Sequence, residues 1–198
     1  RDRRSMTKGA TPPEGERTLL LTGATGFVGG AVRPALVEAG WNVRNLTRDS
    51  DRAAAREPAH AWVQGAVGDR DSMARALEGV GASLYLVHGI VAAPGFHERE
   101  VDAAAGFAEV AAEAGVERIV YLGGVAPSGP GSEHLRSRVE VGEALRSGRV
   151  PTIELRASMI IGHGSLSWLI VRDLAARLPV MILPRWLRSR TQPVGIED

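Results

Sequence analysis

Apolar residues along this chain fall into two alternating patterns: short unbroken runs that stop at a turn residue, and longer stretches with a helical repeat. Thr18-Leu19-Leu20-Leu21-Thr22 is the first run, and its lack of polar alternation suits a central parallel strand covered on both faces. A helical pattern follows from Phe27 to Ala39, closed by Gly40, with Pro34 inside it where a missing backbone donor predicts a kink. Trp41 to Thr47 reads as the second strand, Asp51 to Glu57 as a short helix, and Ala61 to Gln64 as the third strand. Asp71 is placed to cap a helix that runs to Glu78 and ends at Gly79, ahead of a fourth strand from Ser83 to Val87.

The longest helical pattern, His97 to Ala114, sets Val101, Ala104, Ala105, Ala108, Ala111 and Ala112 on one stripe and ends at Gly115. Glu117 to Leu122 is the fifth strand. A Gly/Pro/Ser-rich loop, Gly123 to Ser132, leads to a helix from Glu133 to Arg146, and Thr152 to Ile160 is the sixth strand. Strands alternate with helices throughout, and the connections are too long for hairpins. The pattern therefore predicts an α/β fold, a doubly wound parallel sheet with right-handed crossovers. Beyond Gly162 it loosens into a helix from Ser165 to Leu178, an apolar stretch Val180 to Pro184, a basic stretch to Arg190, and Thr191 to Ile196. Residues 1–16 carry charge, proline and glycine without periodicity and are expected to form a disordered leader. Residues 17–162 are then one α/β domain, and 163–198 a separate, looser stretch.

Composition narrows the chemistry. With 44% hydrophobic and 24% charged residues the chain is globular, and a net charge of +1 gives no footprint for nucleic acid or an anionic membrane. The run Pro184-Arg185-Trp186-Leu187-Arg188-Ser189-Arg190 reads as a solvated rim or a partner contact. The absence of cysteine removes disulfides, thiolate nucleophiles and thiolate metal sites. No apolar run reaches the ~20 residues of a membrane span, and a cytoplasmic location is the default expectation. Lys8 is the single lysine and lies in the leader, and Tyr85 and Tyr121 are the only tyrosines, both inside predicted strands.

Thr22-Gly23-Ala24-Thr25-Gly26-Phe27-Val28-Gly29 follows the first strand directly. Gly23 suits the tight turn, Gly26 lets a diphosphate approach the backbone, and Gly29 lets the helix lie close to the sheet. The helix start, with Thr25, Phe27 and Val28, offers free N–H groups and a positive dipole end. At the end of the second strand the sequence reads Asn45-Leu46-Thr47-Arg48-Asp49. An arginine there suits the 2′-phosphate of NADP in preference to the 2′-hydroxyl of NAD; the plainer alternative is a solvated loop charge. Asp49 suits a cap for the short helix that follows.

These segments, with Tyr85-Leu86-Val87-His88-Gly89, Gly115-Val116-Glu117-Arg118-Ile119-Val120-Tyr121-Leu122-Gly123-Gly124 and Leu155-Arg156-Ala157-Ser158-Met159-Ile160-Ile161-Gly162, resemble the atypical and extended short-chain dehydrogenases/reductases, in particular the NmrA-like NAD(P)-binding proteins. The resemblance implies a Rossmann fold over residues 17–162 as the dinucleotide-binding domain, with NAD(P) at the carboxyl ends of the strands, and residues 163–198 as the start of a substrate-binding region that is incomplete in this sequence; it places Val87, His88 and Gly89 beside the nicotinamide-side ribose. Carbonyl-reducing members commonly carry Tyr-x-x-x-Lys on the helix after the fifth strand, where this chain has His134-Leu135-Arg136-Ser137-Arg138. His134 and Arg138 keep the one-turn spacing of that pair. The hydroxyl residue often found after the fifth strand is replaced by Gly123-Gly124, for which Ser128 or Ser132 is a possible substitute. The Asp near the adenine is replaced by Ala66. His163 is a further candidate to line the pocket.

Three functions fit. The first is an NADPH-dependent oxidoreductase on a small organic substrate, with His134, Arg138 and Ser128 as catalytic candidates and NADPH favoured over NADH. The second is a non-catalytic NADP(H)-sensing or scaffolding protein, and the third a non-redox isomerase or cyclase. The bland alternative for His134 and Arg138 is a surface helix face. The helices flanking the fourth and fifth strands are candidates for a homo-oligomer contact.

Overall fold

The computed structural model describes residues 17–87, 95–125, 133–177 and 192–198. A single parallel sheet contains β1 (Thr18–Leu21), β2 (Asn42–Thr47), β3 (Ala61–Gln64), β4 (Ala82–Tyr85), β5 (Arg118–Gly124) and β6 (Thr152–Ala157) in the spatial order β3-β2-β1-β4-β5-β6. Between them run α1 (Phe27–Glu38), α2 (Ser50–Arg56), α3 (Arg70–Leu77), α4 (Phe96–Glu113) and α5 (Glu133–Ser147). Strand order reverses between β1 and β4, and in such sheets the crevice at that reversal is the place for a ligand.

The Leu19-Leu20-Leu21 run feeds two cores, as its unbroken apolar character requires. Leu20 faces α3, α4 and α5 with Leu46, Met73, Tyr85, Phe107, Ile119 and Tyr121. Leu19 and Leu21 face the opposite side with Val43, Leu84 and Leu86, against Val28, Val32 and Leu36 of α1. The alanine stripe of α4 buries Ala104, Ala108 and Ala111 as the periodicity predicts, and adds Phe107 and Val110. Arg70 joins Glu109 and Glu113 across α3 and α4. No described helix is long and apolar enough to cross a membrane.

Three expectations are corrected. The cap of α3 is Asp69, whose carboxylate accepts from the Asp71 amide; Asp71 itself sits in the first turn, where its charge faces the positive helix end. The sixth strand does not run to Ile160. It stops at Ala157, and after a break β7 (Ile160–Ile161) pairs in parallel with β8 (Val194–Gly195). The amides of Val194 and Ile196 take the carbonyls of Met159 and Ile161 at 3.0 and 2.8 Å, so this short ladder replaces continuation of the main sheet. The last helix, α6 (Leu166–Arg177), opens one residue later than the sequence suggests. The Ser165 hydroxyl caps it by accepting from the Trp168 amide and also donates to the Ile160 carbonyl. The stretch from Val180 to Arg190 and residues 1–16 lie outside the described residues.

Among the described residues β6 is one of the two edge strands of the main sheet; it shows Ile153 and Leu155 to solvent at 44% and 52% exposure, while its other face buries the Glu154 side chain.

Helix α1 lies on β1 closely enough that a Cβ on Gly29 would sit 2.4 Å from the Gly23 carbonyl oxygen and 2.8 Å from the Ala24 Cα. At the neighbouring Gly30 nothing lies within 4 Å. Gly29→Ala should therefore destabilise the fold by about 1–3 kcal/mol, the cost of overpacking. Gly30→Ala should be neutral or stabilise it by up to about 1 kcal/mol. Urea unfolding of the two variants measures the contrast.

Candidate functional site

The corner between β1 and α1 is assembled from backbone. Thr22 is fully buried; its amide and hydroxyl both donate to the Leu84 carbonyl, and the hydroxyl accepts from the Leu86 amide at 3.0 Å. The end of β1 is thereby fastened to the end of β4. Gly23 turns at φ +65°, and a Cβ there would press on Leu86 at 3.1 Å, so the turn needs glycine on both counts. The Gly26 amide returns to the Gly23 carbonyl, and the first bond inside the helix runs from the Gly30 amide to the Gly26 carbonyl. Gly26 is the cap residue and offers no side-chain acceptor, which leaves the amides of Phe27, Val28 and Gly29 at the positive end of α1 without a helical partner. These open N–H groups fit a diphosphate, and Gly23 and Gly29 support the corner from behind, since a Cβ on either would press into Leu86 or into the Gly23–Ala24 backbone.

Thr25 and Gly26 are exposed at this corner, and the Val28 side chain packs into the core beneath α1. The Phe27 ring lies against the turn after β7: a Cβ on Gly162 would be 3.0 Å from the ring and one on Gly164 3.9 Å. His163, between those glycines, is exposed on that turn.

Arg48, exposed just past β2, lines a cavity of about 500 Å³ with Gln64, Gly65, Ala66, Asp69, Ser72 and Arg75. Asp49 is occupied: its carboxylate accepts from the Arg52 amide at 3.0 Å and caps α2, as its position suggests. Ala66 stands where the resemblance places an Asp, and its amide is held by the Ser72 hydroxyl at 3.2 Å. Arg75, on α3, is a second cation on this cavity that no pattern in the sequence marked.

On the far side of the sheet reversal the half-buried Val87 packs against the core at the end of β4. His88, Gly89 and Ser128 lie outside the described residues; His134 is in the first turn of α5, but its side chain is likewise outside them. Arg138 is described. Its Cδ approaches to 2.9 Å of where a Cβ on Gly124 would stand, so the arginine lies over the end of β5. Its Nε is buried with no hydrogen-bond partner among the described residues. Burial lowers the Arg138 pKa, opposed by Tyr121 and Glu100 nearby. Ser137, one residue before, donates to Glu100 of α4 at 2.7 Å. His97, read from sequence as an ordinary helix-start residue, bonds through Nε2 to Glu140 at 2.8 Å.

Both tyrosines belong to the core. Tyr85 packs edge-on against Phe107 and Tyr121, with ring centroids 5.0 and 6.0 Å apart. The Tyr121 hydroxyl donates to the Arg138 carbonyl, and burial pushes its pKa up to about 12. Burial raises Tyr85 further, helped by Tyr121 and Glu100. Tyr121 thus spends its proton on the backbone of α5, and neither phenol stands in for a tyrosine on that helix.

The Gly123-Gly124 pair has a steric reason. A Cβ on Gly123 would stand 2.8 Å from Glu154 Oε1 and 2.9 Å from the Tyr121 ring, while one on Gly142 of α5 would stand 3.0 Å from the same carboxylate. Glu154 occupies this slot because Arg146 and Arg156 neutralise it there. Gly123→Ser should therefore destabilise the protein by about 1–3 kcal/mol. That penalty should shrink in a Glu154→Ala background, a coupling that a double-mutant unfolding cycle measures.

Residues 15–161 match the model of the NmrA-like family. The chain is 38% identical over 152 residues to the (4-alkanoyl-5-oxo-2,5-dihydrofuran-3-yl)methyl phosphate reductase of Streptomyces griseus, covering 76% of this chain and 50% of that protein. It is 30% identical over 193 residues to the ceramide reductase of Caulobacter vibrioides, covering 91% of this chain and 57% of that one. Among solved structures, a short-chain dehydrogenase/reductase superfamily protein from Agrobacterium tumefaciens with bound NAD superposes with a TM-score of 0.63 at 22% identity, over 83% of this chain and 63% of that one. The chain thus spans about half the length of the two reductases it matches. The sheet order, the glycine corner and the family match agree: the chain belongs to the NmrA-like family and has its Rossmann fold.

Proposed function

We propose that residues 17–162 bind NADP(H) and that the protein is a reductase acting on a small organic substrate, with residues 163–198 beginning the substrate-binding region. The observation that carries this reading is the pairing of an open-amide corner after β1 with a cavity at the end of β2 that holds Arg48 and Arg75. The amides of Phe27, Val28 and Gly29 take the diphosphate, while Gly23 and Gly26 keep the approach clear of side chains. Arg48 takes the 2′-phosphate through its permanently charged, planar fork. Asp49, the next residue along, caps α2 through its carboxylate. Both relatives compared above are named reductases, on chemically different substrates, so the reaction class carries over more readily than the substrate.

When bound, the reduced nicotinamide supplies a hydride. The chain's part is then to position and to protonate. By the family resemblance Val87, His88 and Gly89 would border the nicotinamide ribose, and Arg138, whose buried Nε has no partner among the described residues, would take a ribose or substrate oxygen. His134, one turn before Arg138, is the proton donor in place of a tyrosine, assisted by Ser128.

A second reading, a protein that binds NADP(H) without chemistry, is favoured by one observation: both tyrosines are sealed in the core, and the chain's single lysine is Lys8, ahead of β1 in the sequence.

Arg48→Ala should weaken NADPH binding by about 10- to 100-fold, the worth of a charge-assisted contact, and NADH binding little. Titration by nicotinamide fluorescence reads both, and equal loss for the two overturns the 2′-phosphate assignment. Substrate-dependent NADPH oxidation across carbonyl and enone compounds, abolished in His134→Ala, supports the reductase; tight binding with no turnover supports the second reading.

A further inference from the structure

Arg33 sits one turn beyond Gly29 on the sheet-facing side of α1, at only 2% exposure. A cation so buried is costly unless every direction it points in is answered. Here each is. Nε donates to Asn45 Oδ1 of β2 at 2.9 Å, Nη1 pairs with Glu57 at the end of α2, and Nη2 donates to the Ala24 carbonyl at 2.6 Å. The guanidinium also lies over the Trp62 ring of β3, 5.0 Å from its centre. The acceptors are fixed in turn: Asn45, 1% exposed, donates to the Ala61 carbonyl at 3.0 Å, and the Trp62 indole donates to the Glu57 carbonyl at 3.0 Å.

Of these contacts the one to Ala24 bears on the site. A peptide unit is planar and trans, so its carbonyl and its N–H point in opposite directions. With the Ala24 carbonyl drawn inward onto Arg33, the Thr25 amide is turned outward, to the side of the corner where the first-turn amides of α1 are open. We propose that Arg33 is a positioning residue for the nucleotide: by holding the Ala24–Thr25 peptide in this sense it adds the Thr25 N–H to the diphosphate cradle before any ligand arrives. The same guanidinium, through Glu57 and Asn45, ties the corner to the strand and helix that bracket Arg48, so both anion-binding elements are referenced to one side chain. This rests on the dinucleotide reading above.

The test uses the whole chain with two variants. Arg33→Met keeps the bulk of the stem and removes the fork. Glu57→Ala removes one half-exposed anchor and leaves the other two. Well below the melting temperature, NADPH binding should weaken about tenfold in Arg33→Met and by a smaller factor in Glu57→Ala, since preorganisation is lost in proportion. In the ligand-free proteins the Thr25 amide resonance should shift and its hydrogen exchange should quicken. A purely structural role lowers the melting temperature and leaves both readouts unchanged in the folded protein, and that result overturns the proposal. If Arg33→Met does not fold, Glu57→Ala decides by the same two readouts. If the unaltered protein binds neither NADPH nor NADH, the dinucleotide reading fails by itself, and the Thr25 resonance still decides whether Arg33 orients that peptide.

Discussion

A methyl group has no place on Gly29, and much of this fold follows from that missing space. Because α1 can approach β1 until the position of a Cβ is filled by the carbonyl of Gly23, the helix start comes down onto the strand end and presents its unbonded amides there. Thr22 extends the same constraint sideways by knitting the ends of β1 and β4, the two strands between which the sheet reverses. The crevice is therefore defined by backbone held at van der Waals limits, which gives it a shape before a ligand is present.

Beside these backbone and hydroxyl contacts, several of the charged contacts fall to arginine. Arg33 braces the corner, Arg138 lies over the end of β5, and Arg146 and Arg156 neutralise Glu154. Lysine has one compact charge that water or a shifted pKa can release, whereas a guanidinium keeps its charge and its fixed fork when buried. In a chain with a single lysine, the resulting scaffold is geometrically exacting. Acid–base adaptability, which an arginine lacks, has to come from other residues, and histidine is the natural supplier.

Much of this was legible in the residues. The two repeats, one of unbroken apolar runs and one of helical stripes, carry the order of strands and helices, and Gly40, Gly79 and Gly115 each take the positive φ that their positions after a helix imply. Asp49 caps α2 as its place suggests. Other features are invisible along a line. Asp71 reads as the cap of α3, and only the backbone geometry gives that place to Asp69. The break after Ala157 depends on a partner strand more than thirty residues away. Nothing along the chain marks Arg33, whose partners Asn45, Glu57 and Trp62 come together only in the fold. Gly123 reads as a lost hydroxyl, and only the packing of β5, β6 and α5 reveals what took its room.

The carboxylate of Glu154 in that slot makes one seam of three elements. A side chain on Gly123 of β5 or Gly142 of α5 meets the same oxygens, and those oxygens are held by Arg146 from α5 and Arg156 from β6. Removing the carboxylate would free the room and leave two guanidiniums without their counter-charge, so no one of these positions can be redesigned without regard to the others.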